Sequence, residues 1–378
     1  MIIGPNGSGK SNLLRMMKLI SAAAQAQLSR YIQSEGGIGA ILWDGQVDGI
    51  SFHLAMSQMP EVVLPPFEIV EIFPNHPSQP PSFAYDVELM LFGKGSSYRV
   101  QNEVLQDSRN DLTYLTRQGL VAQVYNKNGK SAVRPDYINE EEVFLPGTSS
   151  PFGEADEKQS FLSNLTEWAV HSVFRTDDEA LIRQSPISRL EHRVAPDGQN
   201  LINVLHTLYT GDRKFKQDVN DAMHAAFGDD FDELIFPPAA DQRIQMRVRW
   251  KTLKREQSTA DLSDGTLRFL FLITVLASPN PPPLIAIDEP ETGLHPSMLP
   301  IIAEFAVEAS KRTQVIFTTH SDQFLDAFQD TRPTTTVAKW EDGETTLTTL
   351  DDSELSYWLQ DYTLGKLFRS GELENMAA

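Results

Sequence analysis

Gly4-Pro5-Asn6-Gly7-Ser8-Gly9-Lys10-Ser11 is the stretch that decides the fold of this chain. It fits the pattern G-x-x-x-x-G-K-[ST] of a phosphate-binding loop between a buried strand and a helix. Glycines let successive backbone N–H groups of such a loop curl around phosphate oxygens. The helix that follows turns the positive end of its dipole toward the same anion. With apolar Ile2-Ile3 before it, the stretch predicts nucleotide binding.

The loop also predicts individual contacts. We expect Lys10 to reach the β- and γ-phosphates and the Ser11 hydroxyl to ligate Mg²⁺. The other residues of the predicted nucleotide site are Gly4, Pro5, Asn6, Gly7, Ser8, Gly9 and Asn12. The strand of such a loop normally lies in the middle of its sheet, yet only three residues precede Gly4. We therefore expect a further β-segment upstream of Met1.

Composition limits the class of protein. A chain of 378 residues is too long for one simple core and predicts two lobes. It contains no cysteine, which excludes disulfides and thiolate metal sites and favours a cytoplasmic location. The net charge of −20 opposes indiscriminate nucleic-acid binding but leaves a local basic groove open. The longest apolar run, 267–277, is too short for a bilayer, so we expect a buried helix and no membrane partner.

Changes in periodicity divide the chain. A helix is predicted over 10–34, antiparallel strands over 38–133, and helices over 160–174, 200–209 and 214–227. Asn126-Lys127-Asn128-Gly129 predicts a hairpin turn, and the proline-rich segment 60–81 predicts a loop or sheet edge. Three segments result: 1–150, with the loop and an antiparallel β lobe; 151–230, a helical subdomain; and 231–378, the second part of an ATPase core.

A second set of residues is expected at the same nucleotide site as the loop. Leu284 to Glu289 is an apolar run typical of a strand buried on both faces, and it ends in two carboxylates. Asp288 is placed to associate with Mg²⁺, and Glu289 to orient or deprotonate the attacking water. His320 follows the predicted strand 314–319, where it could polarise the γ-phosphate, although a lone histidine is more often structural. For His295 we expect a structural or interface role.

A helix start upstream offers a second anion-binding end. Ser263 and the Gly265 N–H precede the apolar run, at the amino end of the predicted helix. One nucleotide does not need two such ends, so we expect this one to serve the nucleotide of a second subunit.

Segment 241–251 alternates between apolar and cationic residues. Ile244, Met246, Val248 and Trp250 share one face, and Arg243, Arg247, Arg249 and Lys251 share the other. This cationic strip is either a surface for DNA or a partner, or the solvated face of an antiparallel sheet. Both interpretations remain open.

The motifs in this order resemble a known group. GPNGSGKS (4–11), LSDGT (262–266), LIAIDEP (284–290), ETGLHP (291–296) and TTHS (318–321) look like the ABC-type ATPase heads of the SMC and RecF-like group. They are most similar to bacterial AAA-type ATPases that resemble the OLD proteins. The fold implied is an α/β P-loop NTPase with an ABC-type head, an antiparallel β lobe and an inserted helical subdomain.

The resemblance implies a mechanism and partners. Two heads would enclose two ATP molecules with Mg²⁺, and Lys10, Glu289 and His320 of one head would face Ser263 and Gly265 of the other. DNA repair or defence against phage would be the purpose, with DNA and a separate effector or nuclease chain as possible partners.

Some residues differ from the motifs of this group, and other functions therefore stay open. Asp264 and Thr266 replace the Gly and Gln of transporter ATPases, which counts against a transporter subunit. The glutamine that usually meets Mg²⁺ is not identifiable, and Gln184 is a weak candidate for it. The acidic clusters at 341–344 and 351–354 predict a hairpin turn and a helix start rather than a nuclease site. An ATP-gated scaffold with little turnover is the other alternative.

Overall fold

The computed structural model describes residues 1–42, 47–56, 83–92, 97–107, 111–125, 131–133, 138–148, 157–328 and 331–377. The chain divides into two compact units, as its length predicts. The parallel-sheet unit comprises Met1–Arg15 and Trp168–Ala378, and the antiparallel-sheet unit comprises Met16–Glu167. The division at residues 150 and 230 expected from the sequence stays a prediction.

Strands occur in both units. In chain order they are β1 (Ile2–Ile3), β2 (Gly49–Met56), β3 (Phe83–Leu91), β4 (Tyr98–Asp107), β5 (Leu112–Gln118), β6 (Val121–Tyr125), β7 (Ser131–Val133), β8 (Ala169–His171), β9 (Phe231–Ile235), β10 (Pro238–Ala239), β11 (Arg243–Ile244), β12 (Arg247–Trp250), β13 (Gln257–Ser258), β14 (Leu284–Asp288), β15 (Gln314–Thr319), β16 (Thr336–Glu341) and β17 (Glu344–Thr349).

Helices connect and cover the strands. They are α1 (Lys10–Ala24), α2 (Leu28–Ser34), α3 (Ile38–Ile41), α4 (Glu157–Thr166), α5 (Leu201–Gly211), α6 (Arg213–Phe227), α7 (Asp264–Leu276), α8 (Leu299–Ser310), α9 (Asp322–Asp326), α10 (Asp352–Trp358), α11 (Leu364–Ser370) and α12 (Glu372–Met376). Short 3₁₀ turns span Leu145–Thr148, Leu181–Arg183, Gly228–Asp230 and Pro296–Met298.

A six-stranded sheet of order β17-β16-β1-β15-β14-β8 is the main sheet of the parallel-sheet unit, which also contains the small sheets β13-β12-β9 and β10-β11. All pairs of the main sheet are parallel except the hairpin β16–β17. The strand β1 lies inside the sheet, with Ile3 opposite Thr319 on one side and Val337 on the other. Its carboxyl end therefore meets the carboxyl ends of β14 and β15, where sites of α/β sheets form. This confirms the predicted α/β class.

The apolar run 267–277 forms most of α7, as predicted, and packs in the core. Leu267, Phe269, Leu270 and Leu272 are fully buried and share a cluster with Ile285 of β14. Across the described ranges, no helix combines the length and the apolar character needed to cross a membrane.

The antiparallel-sheet unit is built on a second six-stranded sheet, of order β2-β3-β4-β5-β6-β7. Every neighbouring pair is antiparallel, which confirms the predicted β region from β2 onward. Its predicted start is wrong, because residues 38–41 form the helix α3. The pairing of β6 with β7 confirms the predicted hairpin. Its turn, 126–129, and the proline-rich segment 60–81 lie outside the described residues.

A buried carboxylate anchors this second unit. Glu103 accepts hydrogen bonds from the Tyr85 hydroxyl at 2.8 Å and from the N–H groups of Phe144 and Leu145 at 2.6 and 2.8 Å. The Arg117 guanidinium lies 3.8 Å away, and both side chains are fully buried. The charge pair therefore ties β4 and β5 to the segment that follows the sheet.

Two predicted helices are shorter than expected. The helix predicted over 10–34 breaks between α1 and α2, because Ala26 adopts the left-handed conformation, with a φ of 56°, and the Gln27 N–H bonds back to the Ala22 carbonyl. The helix predicted over 160–174 ends at Thr166. Residues 169–171 form β8 instead, since they pair with β14 at the edge of the parallel sheet.

Candidate nucleotide-binding site

The loop after β1 needs its glycines. Gly4, Gly7 and Gly9 have φ values of 148°, 83° and 92°, which side-chain-bearing residues rarely adopt. A Cβ on Gly4 would stand 2.2 Å from the Ala338 carbonyl oxygen, and one on Gly9 would stand 2.0 Å from Oγ1 of Thr345. The hairpin β16–β17 thus packs directly against the loop.

Lys10 lies at the start of α1 with its ammonium group held by the loop. Its Nζ donates to the carbonyl oxygens of Gly4 at 2.7 Å and Pro5 at 2.9 Å. Burial lowers the pKa of Lys10, and the carboxylates of Glu289, Asp288 and Glu291 oppose that shift. Within the described residues the buried Oγ of Ser8 has no hydrogen-bond partner, as expected where a loop is shaped for a further polar group.

Ser11 and Asp288 come together, as the sequence predicts for a shared metal. The Ser11 Oγ donates to Oδ2 of Asp288 at 3.0 Å, and Oγ1 of Thr318 on β15 donates to Oδ1. One hydroxyl and one carboxylate at the carboxyl edge of the sheet are the donors that Mg²⁺ takes beside triphosphate oxygens. These residues therefore fit a Mg²⁺–nucleotide complex.

Glu289 has a strained backbone that is held on both sides. Its φ is 45°, an uncommon value for a residue with a side chain. Its N–H donates to the Thr318 carbonyl at 3.0 Å, and its own carbonyl accepts from Arg268 Nη2 at 3.0 Å and the Thr292 N–H at 3.1 Å. Its carboxylate Oε1 lies 3.0 Å from Nδ1 of His320. The structure thus brings together two of the three predicted catalytic side chains, Glu289 and His320.

Arg268 and Glu291 belong to this cluster, and the sequence analysis missed both roles. Burial lowers the pKa of the Arg268 guanidinium, against the pull of Glu291, Glu289 and Asp288. Burial also raises the pKa of the Glu291 carboxyl, whose Oε1 accepts from Oγ1 of Thr319 at 2.6 Å. Arg268 is the one charged residue in the apolar run 267–277, and that was the signal available for finding it.

Ser263 caps α7 on the surface of the unit. Its Oγ accepts from the Thr266 N–H at 3.1 Å, and the residue is exposed. A Cβ on Gly265 would stand 2.8 Å from the Gly293 carbonyl oxygen, so glycine is required there for a close backbone approach. The role of Ser263 and Gly265 toward a second subunit stays a prediction.

Arg183 holds the segment before α7, and sequence reasoning also missed it. Its Nη2 donates to Asp264, its Nη1 to the carbonyls of Leu262 at 2.8 Å, Thr259 at 3.2 Å and Ala260 at 3.3 Å, and its Nε to Thr176 O at 2.6 Å. The ion pair with Arg183 therefore fixes the Asp264 side chain.

Two further candidates have local roles. Nε2 of Gln184, the weak candidate for the metal-associated glutamine, donates to the Glu179 carbonyl at 3.3 Å. Nδ1 of His295 accepts from the Ser297 N–H at 3.3 Å and so caps the short 3₁₀ turn, which agrees with a structural role.

The cationic strip does not lie on one strand, because Arg243 is in β11 and Arg247 and Arg249 are in β12 of a different sheet. Its apolar residues are buried as predicted, and part of its charge is paired. Ile244, Met246, Val248 and Trp250 are buried. Arg249 pairs with Glu233 and, at 2.9 Å, with Glu256, while Arg247 lies 3.6 Å from Glu256. Local carboxylates therefore offset part of the positive charge that DNA would require.

One family model matches the chain. It is described as "AAA domain, putative AbiEii toxin, Type IV TA system" and matches residues 150–326. The matched segment contains Ser263, Asp288, Glu289 and His320, so it covers the second half of the site. Curated protein sequences gave no match.

Solved structures of SMC heads resemble the chain at low identity. An Smc head derived from Pyrococcus furiosus, bound to the C-terminal domain of ScpA, is 14% identical, with 95% of this chain and 92% of that chain covered and a TM-score of 0.47. The SMC head domain from Thermotoga maritima is 15% identical, with coverages of 93% and 89% and a TM-score of 0.33. The phosphate loop, the Ser11–Asp288 contact and the match to an AAA domain model together support a P-loop NTPase.

Proposed function

We propose that the protein hydrolyses ATP with Mg²⁺ and that ATP binding joins two heads. The observation that carries this proposal is the convergence of two pairs at one sheet edge. Ser11 and Asp288 are 3.0 Å apart, and Glu289 and His320 are 3.0 Å apart, with Glu289 directly following Asp288 in the chain. One pair suits the metal, and the other suits the attacking water.

The residues divide the chemistry between them. The loop N–H groups and Lys10 bind the phosphates and stabilise the charge that develops during transfer. Ser11 and Asp288 would hold Mg²⁺, which neutralises charge on the β- and γ-phosphate oxygens. Glu289 orients the attacking water and accepts its proton. His320, whose Nδ1 lies 3.0 Å from the Glu289 carboxylate, holds that carboxylate and would polarise the γ-phosphate.

Dimerisation follows from the second anion-binding end. Ser263 and Gly265 begin α7 on an exposed surface, so they can face a nucleotide bound by another copy. ATP then binds between two heads and hydrolysis separates them, which makes nucleotide state a conformational signal for a partner.

Purpose and partners rest on resemblance. DNA repair or defence against phage in the cytoplasm is the proposed setting, with a separate effector or nuclease chain and DNA as the proposed partners. The alternative is a scaffold that binds ATP at the same site but hydrolyses it negligibly. A measurement of steady-state phosphate release distinguishes this scaffold from an ATPase. Asp264, fixed by Arg183, departs from the transporter pattern and disfavours a transporter subunit.

The testing experiment uses Glu289→Gln. We expect ATP binding to persist, turnover to fall at least about a hundredfold, and an ATP-dependent dimer to accumulate. Light scattering after size exclusion measures the dimer, and phosphate release measures turnover. Glu304→Gln, on an exposed residue of α8, is the matched control and should behave like the native protein. Unchanged turnover, or an ATP-bound monomer, would contradict the proposal.

A further inference from the structure

We propose that the indole of Trp340 stacks on the base of the bound nucleotide. This inference rests on the proposed function and adds the subsite that holds the base. It comes from the hairpin β16–β17, which no motif in the sequence connects with nucleotide binding.

The hairpin continues past the point where the loop strand ends. Ile3, the last residue of β1, lies opposite Val337 on β16. The next residue, Ala338, brings its carbonyl oxygen to 2.2 Å from where a Cβ on Gly4 would stand. Trp340 lies two residues farther along β16. It therefore stands beyond the carboxyl edge of β1, alongside the phosphate loop.

The strand register fixes the face on which the indole emerges. Trp340 lies opposite Thr345 in the hairpin, and opposed residues of an antiparallel pair share one face. The Thr345 side chain rests against Gly9, with Oγ1 2.0 Å from the position a Cβ would take. Trp340 consequently projects on the face that the loop occupies.

The aromatic surface is available and its support is rigid. Trp340 is 53% exposed, although it adjoins a packed loop. The hairpin closes through Asp342 and Gly343, with φ values of 50° and 90°, the left-handed pair of a tight two-residue turn. A stiff platform with an open aromatic face costs little ordering entropy when a flat ligand binds.

The order of strands assigns the base to this side. Asp288, Glu289 and His320, which would serve the γ-phosphate, follow β14 and β15 on one flank of β1. The hairpin β16–β17 is on the opposite flank. A nucleotide bound through its phosphates at the loop has its γ-phosphate at one end and its base at the other. With the γ end toward β15, the base points toward β16.

Stacking predicts a particular selectivity. Every base has an aromatic face, so an indole platform favours nucleotides over bare phosphate chains but discriminates little between purines. Removing the indole should therefore weaken ATP and GTP binding alike and leave an inorganic triphosphate untouched.

The test compares ligands with and without a base. Calorimetry with Mg²⁺ measures the Kd of ATP, GTP and inorganic tripolyphosphate for the native protein and for Trp340→Ala, Trp340→Phe and Tyr357→Ala. For Trp340→Ala we expect the Kd of ATP and GTP to rise about tenfold and that of tripolyphosphate to stay within about twofold. Trp340→Phe should retain ATP affinity within about threefold. Tyr357, an aromatic residue 70% exposed on α10, is the matched control and should change nothing.

A second readout covers the case in which Trp340→Ala does not fold. ATP should quench the tryptophan emission of the native protein, tripolyphosphate should not, and the quench should be absent in Trp340→Phe. Equal ATP affinity in Trp340→Ala, or a quench that survives in Trp340→Phe, overturns the stacking proposal and leaves the proposed function standing. A native protein that binds neither ATP nor tripolyphosphate overturns both.

Discussion

Nδ1 of His320 lies 3.0 Å from Oε1 of Glu289. The residue that follows β15 therefore contacts the residue that follows the neighbouring strand β14. The two side chains are partly exposed, at 44% and 37%, which leaves room for water and phosphate beside them. The contact fixes a carboxylate on a residue whose backbone is strained, with a φ of 45°. Its removal should affect the chemical step more than binding.

His320→Ala should therefore keep ATP affinity within a few-fold and reduce kcat by about a hundredfold, the loss typical of a misplaced general base. Phosphate release and nucleotide titration measure the two quantities separately. His295→Ala is the control, because the His295 side chain caps a 3₁₀ turn and its removal should leave kcat unchanged. Equal kcat values for the two variants would contradict a catalytic role for His320.

Arg268 should act as a positioning residue for Glu289. Arg268 lies in the buried helix α7, and its Nη2 donates to the Glu289 carbonyl at 3.0 Å. We expect Arg268→Ala to lower kcat about tenfold or more with KM within about threefold, since the donor is lost and the carboxylates of Glu289 and Glu291 lose a buried cation. Arg268→Lys should recover part of kcat. A variant with lower thermal stability but native kcat would show a purely structural role.

Arg183 should be required for dimerisation rather than for binding. Four of its five hydrogen bonds fix Asp264 and the residues before α7, and the fifth goes to the Thr176 carbonyl. In the Glu289→Gln background, Arg183→Ala should bind ATP as a monomer, because the surface for the second nucleotide is no longer ordered. Arg175→Ala is the control, since Arg175 is exposed and pairs only locally with Asp177. A stable ATP-bound dimer of the Arg183 variant would rule out this role.

Glu291 should give stability a defined pH dependence. Burial raises its pKa above the ordinary value of 4.5, so the folded protein holds this proton more tightly than the unfolded chain. Its contribution to stability is therefore complete below pH 4.5 and is lost as pH rises through the folded pKa. Glu291→Gln stays neutral, so its Tm minus the native Tm should increase as the pH rises above 4.5. A constant or shrinking difference would contradict the shift.

Short-range patterns predicted the structural elements that carry the candidate site. The loop, the strand that ends at Asp288 and Glu289, and the cap at Ser263 are each encoded by fewer than about ten neighbouring residues, so periodicity and residue type reveal them. The same holds for the hairpin β16–β17 and the antiparallel lobe, whose turns and alternation are local.

Long-range packing was beyond such patterns. Arg268 reaches Glu289 across 21 positions and Arg183 reaches Asp264 across 81, so neighbouring residues do not identify either partner. The one local sign is that Arg268 is the only charged residue in an apolar run. Residues 169–171 form a strand only because β14 offers them a partner, and the break at Ala26 depends on one backbone angle. In each case tertiary structure overrides local propensity.

The position of β1 has a consequence for biosynthesis. Its two residues gain both hydrogen-bonded neighbours from β15 and β16, more than 300 positions later in the chain. Contacts of such high sequence separation form slowly, since the intervening chain must first be closed into a loop. The phosphate loop therefore leaves the ribosome long before the strands that hold it. A translating chain stopped before residue 336 should lack an ordered nucleotide site, so ATP can stabilise this protein only after the last strands have been made.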